Sequence, residues 1–140
     1  MLIRLSAKTD YALRAALELA RMEGSGMLKG EQIADAQGIP LKFLLSILTE
    51  LRNARIVLSH RGANGGFRLA RAPADITVAD VVRAVDGLGV QEPFAESVGA
   101  WGPVQDLWVD VERSVEGVLT DVTLSDLAAR SVSAQPVPSP

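Results

Sequence analysis

The chain has 140 residues, no cysteine, one histidine and a formal charge of −3. That length bounds it to one domain plus an extension, and the missing thiol excludes disulfides, thiolate metal sites and cysteine-ligated clusters. No apolar run reaches the ~18 residues that argue a membrane span, and residues 1–10 lack the layout of a secretory signal, so a cytoplasmic protein with no membrane partner is expected.

The charge is divided. Residues 1–72 carry 11 Lys/Arg against 6 Asp/Glu, whereas residues 73–140 carry 3 against 11. A basic front half suits a polyanion, and an acidic rear half stays off one. The bland alternative is chance segregation of solvated charges. With 48% apolar and only 4% aromatic residues, the interior is expected to be helical and built of Leu, Val and Ala.

In chain order, Ser6 can cap a helix from about Ala7 to Met22, with Leu13, Ala16, Leu17 and Ala20 on one face. Gly24-Ser25-Gly26 breaks it. A short helix over Gly30–Gln37 turns Ile33 and Ala34 inward. Gly38 ends it in the tight turn of a helix-turn-helix unit. Pro40 opens a third helix at a first-turn position, where its missing N–H does no harm. Leu41, Leu44, Leu45, Leu48 and Leu51 form its apolar stripe. Lys42, Ser46, Thr49, Glu50 and Asn53 form the other face.

Two strands follow, near Ile56–His60 and Phe67–Ala70. Asn64-Gly65 between them signals a two-residue hairpin with positive φ at both positions. Arg61, Arg68 and Arg71 surround it. Pro73-Ala74-Asp75 reads as a loop. Thr77 with Asp80 resembles a capping box and starts a helix through Val78, Val81, Val82 and Val85, which Gly87 and Gly89 stop. Residues 88–102 are irregular and carry Phe94 and Trp101. Gly102-Pro103 opens a long helix with Val104, Leu107, Trp108, Val111, Val115, Val118, Leu119 and Val122 as an unbroken apolar stripe of about five turns. Thr123 with Asp126 caps a last helix ending near Arg130. Residues 131–140, rich in Ser and Pro, form an expected disordered tail.

A helix, a tight turn, a second helix and a basic hairpin together make a winged helix-turn-helix. Its second helix enters the major groove, which is about wide enough to admit one. Lys42 and Ser46 lie near the end where base edges come within reach. Thr49, Asn53 and Arg55 reach toward phosphates. Arg61 and Arg68 suit the minor groove or phosphates. The alternative is a solvated helix face beside an ordinary hairpin.

The long helix needs a large apolar partner. A second copy packed antiparallel would supply it, with operator half-sites one helical turn apart or a multiple. The alternative is that the stripe folds back on its own domain. An effector pocket is expected near Phe94, Trp101 and Trp108, against the alternative that these aromatics are core. No catalytic set is legible: His60 stands alone on the wing, where a DNA-backbone contact suits it better than base or ligand. Asp106, Asp110, Glu112 and Glu116 read as the wet face of the long helix. Gly62, Gly65 and Gly66 form a turn and not a phosphate cradle, because a strand follows them and no helix does. No enzyme activity, cofactor or metal is expected.

The segments KTDYALRAALELA (Lys8–Ala20), IADAQGIPLKFLLSILTELRNARIV (Ile33–Val57), RGANGGFRLAR (Arg61–Arg71), ITVADVVRAVDG (Ile76–Gly87) and TLSDLA (Thr123–Ala128) cover most of the chain. In that order they resemble the Rrf2 family of bacterial winged-helix regulators. The resemblance implies a dimeric, cytoplasmic transcription factor whose long C-terminal helix dimerises. It implies that Pro40, Lys42, Leu45 and Ser46 approach major-groove bases and that Arg61 enters the minor groove.

Cluster-binding relatives carry three cysteines in the loop matching residues 88–103, and this chain has none. Asp10, which matches a cluster carboxylate of nitric-oxide sensing relatives, is left to interact with a helix N-terminus. Leu45 stands where iron–sulfur relatives place a base-reading glutamate, and can touch a thymine methyl or join the core, the core being favoured.

The resulting fold expectation is mainly α (α+β): a winged helix-turn-helix domain over 1–87, a loop over 88–102, and a dimerisation helix plus a short terminal helix over 103–130. Expected DNA contacts are Lys8, Pro40, Lys42, Phe43, Ser46, Thr49, Asn53, Arg55, His60, Arg61 and Arg68. The expected function is a homodimeric regulator, a repressor, bound to a double-stranded operator and answering a small-molecule or protein effector. The rival is a protein-interaction adaptor on the same fold, with DNA binding weak or lost.

Overall fold

The structure, a computed structural model, describes residues 6–85 and 102–133, with side chains through Arg130. The expectations for Gly87, Gly89, Phe94, Trp101 and residues 134–140 lie outside the described residues. The described elements are α1 (Ala7–Arg21), α2 (Gly30–Gln37), α3 (Leu41–Asn53), β1 (Val57–His60), β2 (Gly66–Leu69), α4 (Val78–Val85), α5 (Pro103–Asp121) and α6 (Leu124–Ser133), with a single 3-10 turn at Pro73–Asp75. They are mainly helical, with one two-stranded antiparallel sheet.

Ser6 caps α1 as expected, its Oγ accepting from the Thr9 N–H at 3.0 Å. The buried face of α1 is Ala12, Ala15, Ala16, Leu19 and Ala20, and Leu13 and Leu17 lie on its flank. This corrects the expected face. α1 is surrounded by α2, α3, α4, α6 and β2, and alanine is small enough to let that many backbones approach at once.

α2 ends at Gly38, which takes the left-handed conformation (φ 65°, ψ 39°). Ile39 is buried just beyond it, and α3 starts at Leu41. Pro40 therefore sits at the N-cap of α3 and not inside its first turn. The buried stripe of α3 is Leu44, Ile47, Leu48 and Leu51. Leu41 and Leu45 are 37% and 44% exposed, so the expectation that Leu45 joins the core is corrected. Successive residues advance about 100° around a helix, which puts Leu45 roughly a quarter-turn outside the Leu44–Leu51 face.

The wing pairs Val57 with Leu69, Leu58 with Arg68, Ser59 with Phe67 and His60 with Gly66. Val57 and Leu69 are buried, whereas Leu58, His60 and Arg68 turn outward, as strand alternation requires. The connection differs from the two-residue turn. The Gly65 N–H donates to the Gly62 carbonyl at 2.9 Å, and positive φ falls on Gly62 (104°) and Gly66 (143°), not on Asn64 and Gly65. A Cβ on Gly65 would stand 2.2 Å from the His60 carbonyl oxygen, and one on Gly66 would stand 2.5 Å from that of Leu28. Leu28 adds a one-residue third rung to the sheet: its N–H donates to the Phe67 carbonyl at 2.9 Å and its carbonyl accepts from Phe67 at 2.7 Å. The wing is thereby tied to the start of the helix-turn-helix.

Both rear capping boxes form. Thr77 and Asp80 exchange bonds of 2.9 and 3.0 Å, and Thr123 and Asp126 exchange two of 3.0 Å. α5 opens with Gly102 as N-cap and Pro103 inside its first turn, as read. α6 continues to Ser133, three residues past the expected end. Leu124 at its start is fully buried in the same core as Ile33, Leu44, Leu48, Leu51 and Ile76. One hydrophobic cluster thus joins the front of the chain to its last helix.

Candidate nucleic-acid interface

Burial of Leu44, Ile47, Leu48 and Leu51 turns the opposite side of α3 to solvent. Lys42, Ser46, Thr49 and Asn53 are all exposed there and fall on one ridge at steps of three and four. Thr49 donates its hydroxyl to the Leu45 carbonyl at 3.0 Å, which fixes its rotamer. Pro40 is exposed at the head of the ridge, and Phe43, 58% exposed, lies on one flank.

At the foot of α3 the chain reverses through Arg55. The Arg55 N–H donates to the Arg52 carbonyl and the Ile56 N–H to the Leu51 carbonyl, both at 2.9 Å. These are the two bonds of a Schellman ending, whose turning residue must be left-handed. Arg55 holds φ 65° without being glycine, at a cost of roughly 1–2 kcal/mol.

His60, Arg61 and Arg68 are exposed on the wing, Arg61 in its loop. Arg68 borders a cleft with Leu19, Met22, Glu23, Gly24 and Gly26, at the far end of α1. Lys42, Arg55, Arg61 and Arg68 have no carboxylate partner among the described residues, in contrast to Lys8, Arg14, Arg71 and Arg83. Lys8 pairs with Glu50 of α3 at 2.9 Å, so it neutralises an acidic group next to the ridge.

Two residues that hold the site were missed. The Lys29 ammonium donates to the Ala63 and Gly65 carbonyls at 3.0 and 3.4 Å, bracing the wing tip from 34 and 36 residues away. Arg71, read only as a charge beside the hairpin, donates to the Arg55 carbonyl at 3.2 Å and pairs with Asp80 at 3.6 Å. It links the end of α3 to α4. Neither bond follows a local spacing, so no sequence signal marks it.

α5 lies beside α4, with an Arg83–Glu116 ion pair at 2.7 Å. No α5 residue is fully buried. Trp108, Val111, Val115 and Leu119 are half-covered, whereas Val104, Leu107 and Val118 are 53–65% exposed. The stripe folds back on its own chain along one flank and stays open along the other. Of the expected effector pocket only Trp108 lies within the described residues.

The arrangement is a polar ridge headed by Lys42, with Arg55 at its foot and Arg61 and Arg68 on the wing, none of these cations paired with a carboxylate among the described residues, which suits phosphate and groove contact. Comparison with known proteins agrees. A family profile described as an iron-dependent transcriptional regulator, Rrf2, matches residues 5–130. An HTH-type transcriptional regulator of Mycobacterium tuberculosis is 41% identical over 131 residues, covering 90% of this chain and 81% of the relative. The solved structure of T. potens IscR superposes with a TM-score of 0.82 at 32% identity, covering 98% of this chain and 94% of that one. CymR, the global cysteine regulator of B. subtilis, gives 0.80 at 32% identity, covering 91% and 98%.

Proposed function

The chain belongs to the Rrf2 family of DNA-binding transcriptional regulators, and from that premise we propose that it is a homodimeric, non-enzymatic repressor that works in the cytoplasm without an iron–sulfur cluster. The observation that carries the DNA-binding half is the exposed ridge of Lys42, Ser46, Thr49 and Asn53, continued by Arg55 and flanked by the wing cations. α3 enters the major groove with its first turns nearest the bases, Arg61 enters the adjacent minor groove, and Arg55 and Arg68 meet phosphates.

The open flank of α5 supports the dimer. Val104, Leu107 and Val118 expose a run of apolar surface that an antiparallel copy of the same helix would cover. Such a pair sets two recognition helices about 34 Å apart, one turn of DNA. Occupying an operator then blocks access to the promoter, and an effector releases it by changing that spacing.

The family description speaks of iron, and the donor set here does not fit a thiolate-bound cluster. The sequence holds no cysteine, and no three His, Asp or Glu side chains gather in metal-binding fashion among the described residues.

Titration of duplex DNA with the purified protein tests the reading. Affinity falls by orders of magnitude between low and moderate salt if several phosphates are neutralised. Sedimentation analysis gives a dimer, and Leu107→Asp gives a monomer with weakened binding. Salt-insensitive, micromolar association of a monomer would overturn the reading.

A further inference from the structure

The cleft between the end of α1 and the wing encloses about 230 Å³, less than the ~300–1,000 Å³ of pockets that take drug-sized molecules. Its occupant is therefore small. The floor is apolar: Leu19 is 3% exposed and Met22 is half-buried. One rim is the turn after α1, where Gly24 and Gly26 hold φ of 86° and 93°. A Cβ on either glycine would meet nothing within 4 Å, so the space beside that backbone is open.

The rims carry opposite charges, Glu23 on the turn and Arg68 on β2. No ion pair joins the two, and neither has a carboxylate or ammonium partner elsewhere among the described residues. The other charges near this end of α1 are engaged. Arg21 pairs with Glu18 at 3.5 Å, and Glu18 also accepts from the Gln37 amide at 2.8 Å. The Lys29 ammonium is spent on the wing carbonyls. Glu31 and Asp35 of α2 do not line the cleft.

The two ends thus prefer different ligand groups. Glu23 directly follows the C-terminal end of α1, where the helix dipole adds negative potential and favours a cation. Arg68 presents a planar fork that matches a carboxylate. A purely anionic ligand would be repelled by Glu23, and a purely cationic one by Arg68.

We propose that this cleft binds a small zwitterion, an amino acid with an apolar side chain. Its ammonium meets Glu23, its carboxylate meets Arg68, and its side chain lies on Leu19 and Met22. Both rims belong to the support of the wing. Phe67, the neighbour of Arg68 in β2, is bonded to Leu28, which stands two residues beyond Gly26. The regulatory consequence rests on the DNA-binding reading, in which Arg68 meets a phosphate: the ligand carboxylate takes that cation out of use. The effect arises within one protomer and needs no change in the spacing between protomers.

The test uses the full chain and L-leucine as probe, with calorimetry in the absence of DNA. L-Leucine is expected to bind. N-acetyl-L-leucine lacks the ammonium and L-leucinamide lacks the carboxylate, and each should bind about tenfold more weakly, the worth of one charged hydrogen bond. Glu23→Gln should lose L-leucine to the same extent while its duplex affinity in the absence of amino acid is not weakened. With saturating L-leucine, wild-type affinity for a selected duplex should fall about fivefold or more, and the slope of log affinity against log salt should drop by about one. Arg68→Ala removes that response. Both side chains are exposed, and far-UV circular dichroism checks that the variants fold.

If L-leucine does not bind while the duplex binds with strong salt dependence, the proposal fails and the DNA-binding reading stands. If L-leucine binds wild type, Glu23→Gln and Arg68→Ala equally, it sits elsewhere and the proposal also fails. If L-leucine binds with the expected dependence on both charges but no duplex is bound, the site stands and the DNA-binding reading falls.

Discussion

Thr77 and Thr123 face each other across an antiparallel bridge, and each is the cap of a helix. The Val78 N–H donates to the Val122 carbonyl at 2.8 Å, and the Leu124 N–H to the Ile76 carbonyl at 2.9 Å. Two helices, α4 and α6, thus start from one paired backbone segment, although 46 positions separate their caps in the sequence. The pairing brings Leu124 into the core beside Ile76, both fully buried.

The bridge makes the Thr123 cap matter more than a surface cap. Thr123→Ala is expected to cost about 1 kcal/mol, and Leu124→Ala about 2–5 kcal/mol. Urea unfolding followed by circular dichroism measures both. A Leu124 variant as stable as wild type would show that α6 does not belong to the core.

Asp126 adds a pH dependence. Hydrogen bonds from the Thr123 backbone and hydroxyl, with Arg130 nearby, hold its carboxyl below the usual aspartate value. A lowered folded-state value means the unfolded chain binds the proton more readily. The contribution to stability is present above the ordinary aspartate value and is lost as pH falls through the folded one. Melting temperature recorded from pH 6 down to 3 should therefore fall less steeply for Asp126→Asn than for wild type, from a lower starting point.

Arg55 separates stability from binding. Arg55→Gly removes the left-handed strain and is expected to raise stability by about 1 kcal/mol. The same change deletes a cation at the foot of α3, so duplex affinity falls. Thermal melting and DNA titration on one preparation read the two effects, and the signs are opposite. A fall in both would mean that the Arg55 side chain braces the fold.

The wing gives a salt signature. Arg61→Ala should weaken duplex binding and reduce the slope of log affinity against log salt by about one. An unchanged slope would place Arg61 off the DNA.

At Gly66, where the wing turn enters β2, there is no room for a side chain. Gly66→Ala puts a Cβ 2.5 Å from a backbone oxygen at φ 143°, and is expected to cost about 2–3 kcal/mol. Hydrogen exchange at Phe67, whose N–H bonds to Leu28, should rise first. Protection equal to wild type there would rule out this account of the turn.

Much of this was legible from local pattern. Ser6, Gly38, Pro103 and both Thr–Asp boxes act where chain order alone placed them, because capping is settled within three or four residues. The misreadings share another cause. Asn64-Gly65 announced a hairpin, but the turn type depends on Gly66 passing close to Leu28, a contact between distant segments. Leucine in α3 was counted as core by spacing, yet only tertiary position separates Leu44, fully buried, from Leu45. The small face of α1 is not apparent from hydrophobicity, since Leu13 and Leu17 outrank alanine, while a helix enclosed by four others buries mostly alanine, with Leu19 the one large residue on that face. Lys29 and Arg71 act on backbone carbonyls far along the chain, and no composition or spacing encodes such partners.

Leu124, described above as part of the common core, makes the last helix a plug for a socket that the first eighty residues build. A chain severed anywhere in residues 86–101 would keep its two pieces clasped by that plug, by the threonine bridge and by Arg83 with Glu116. Movement of the long helix then cannot be absorbed by a slack hinge behind it. The long helix is thus tied to the reading head at its far end, through the threonine bridge and Leu124.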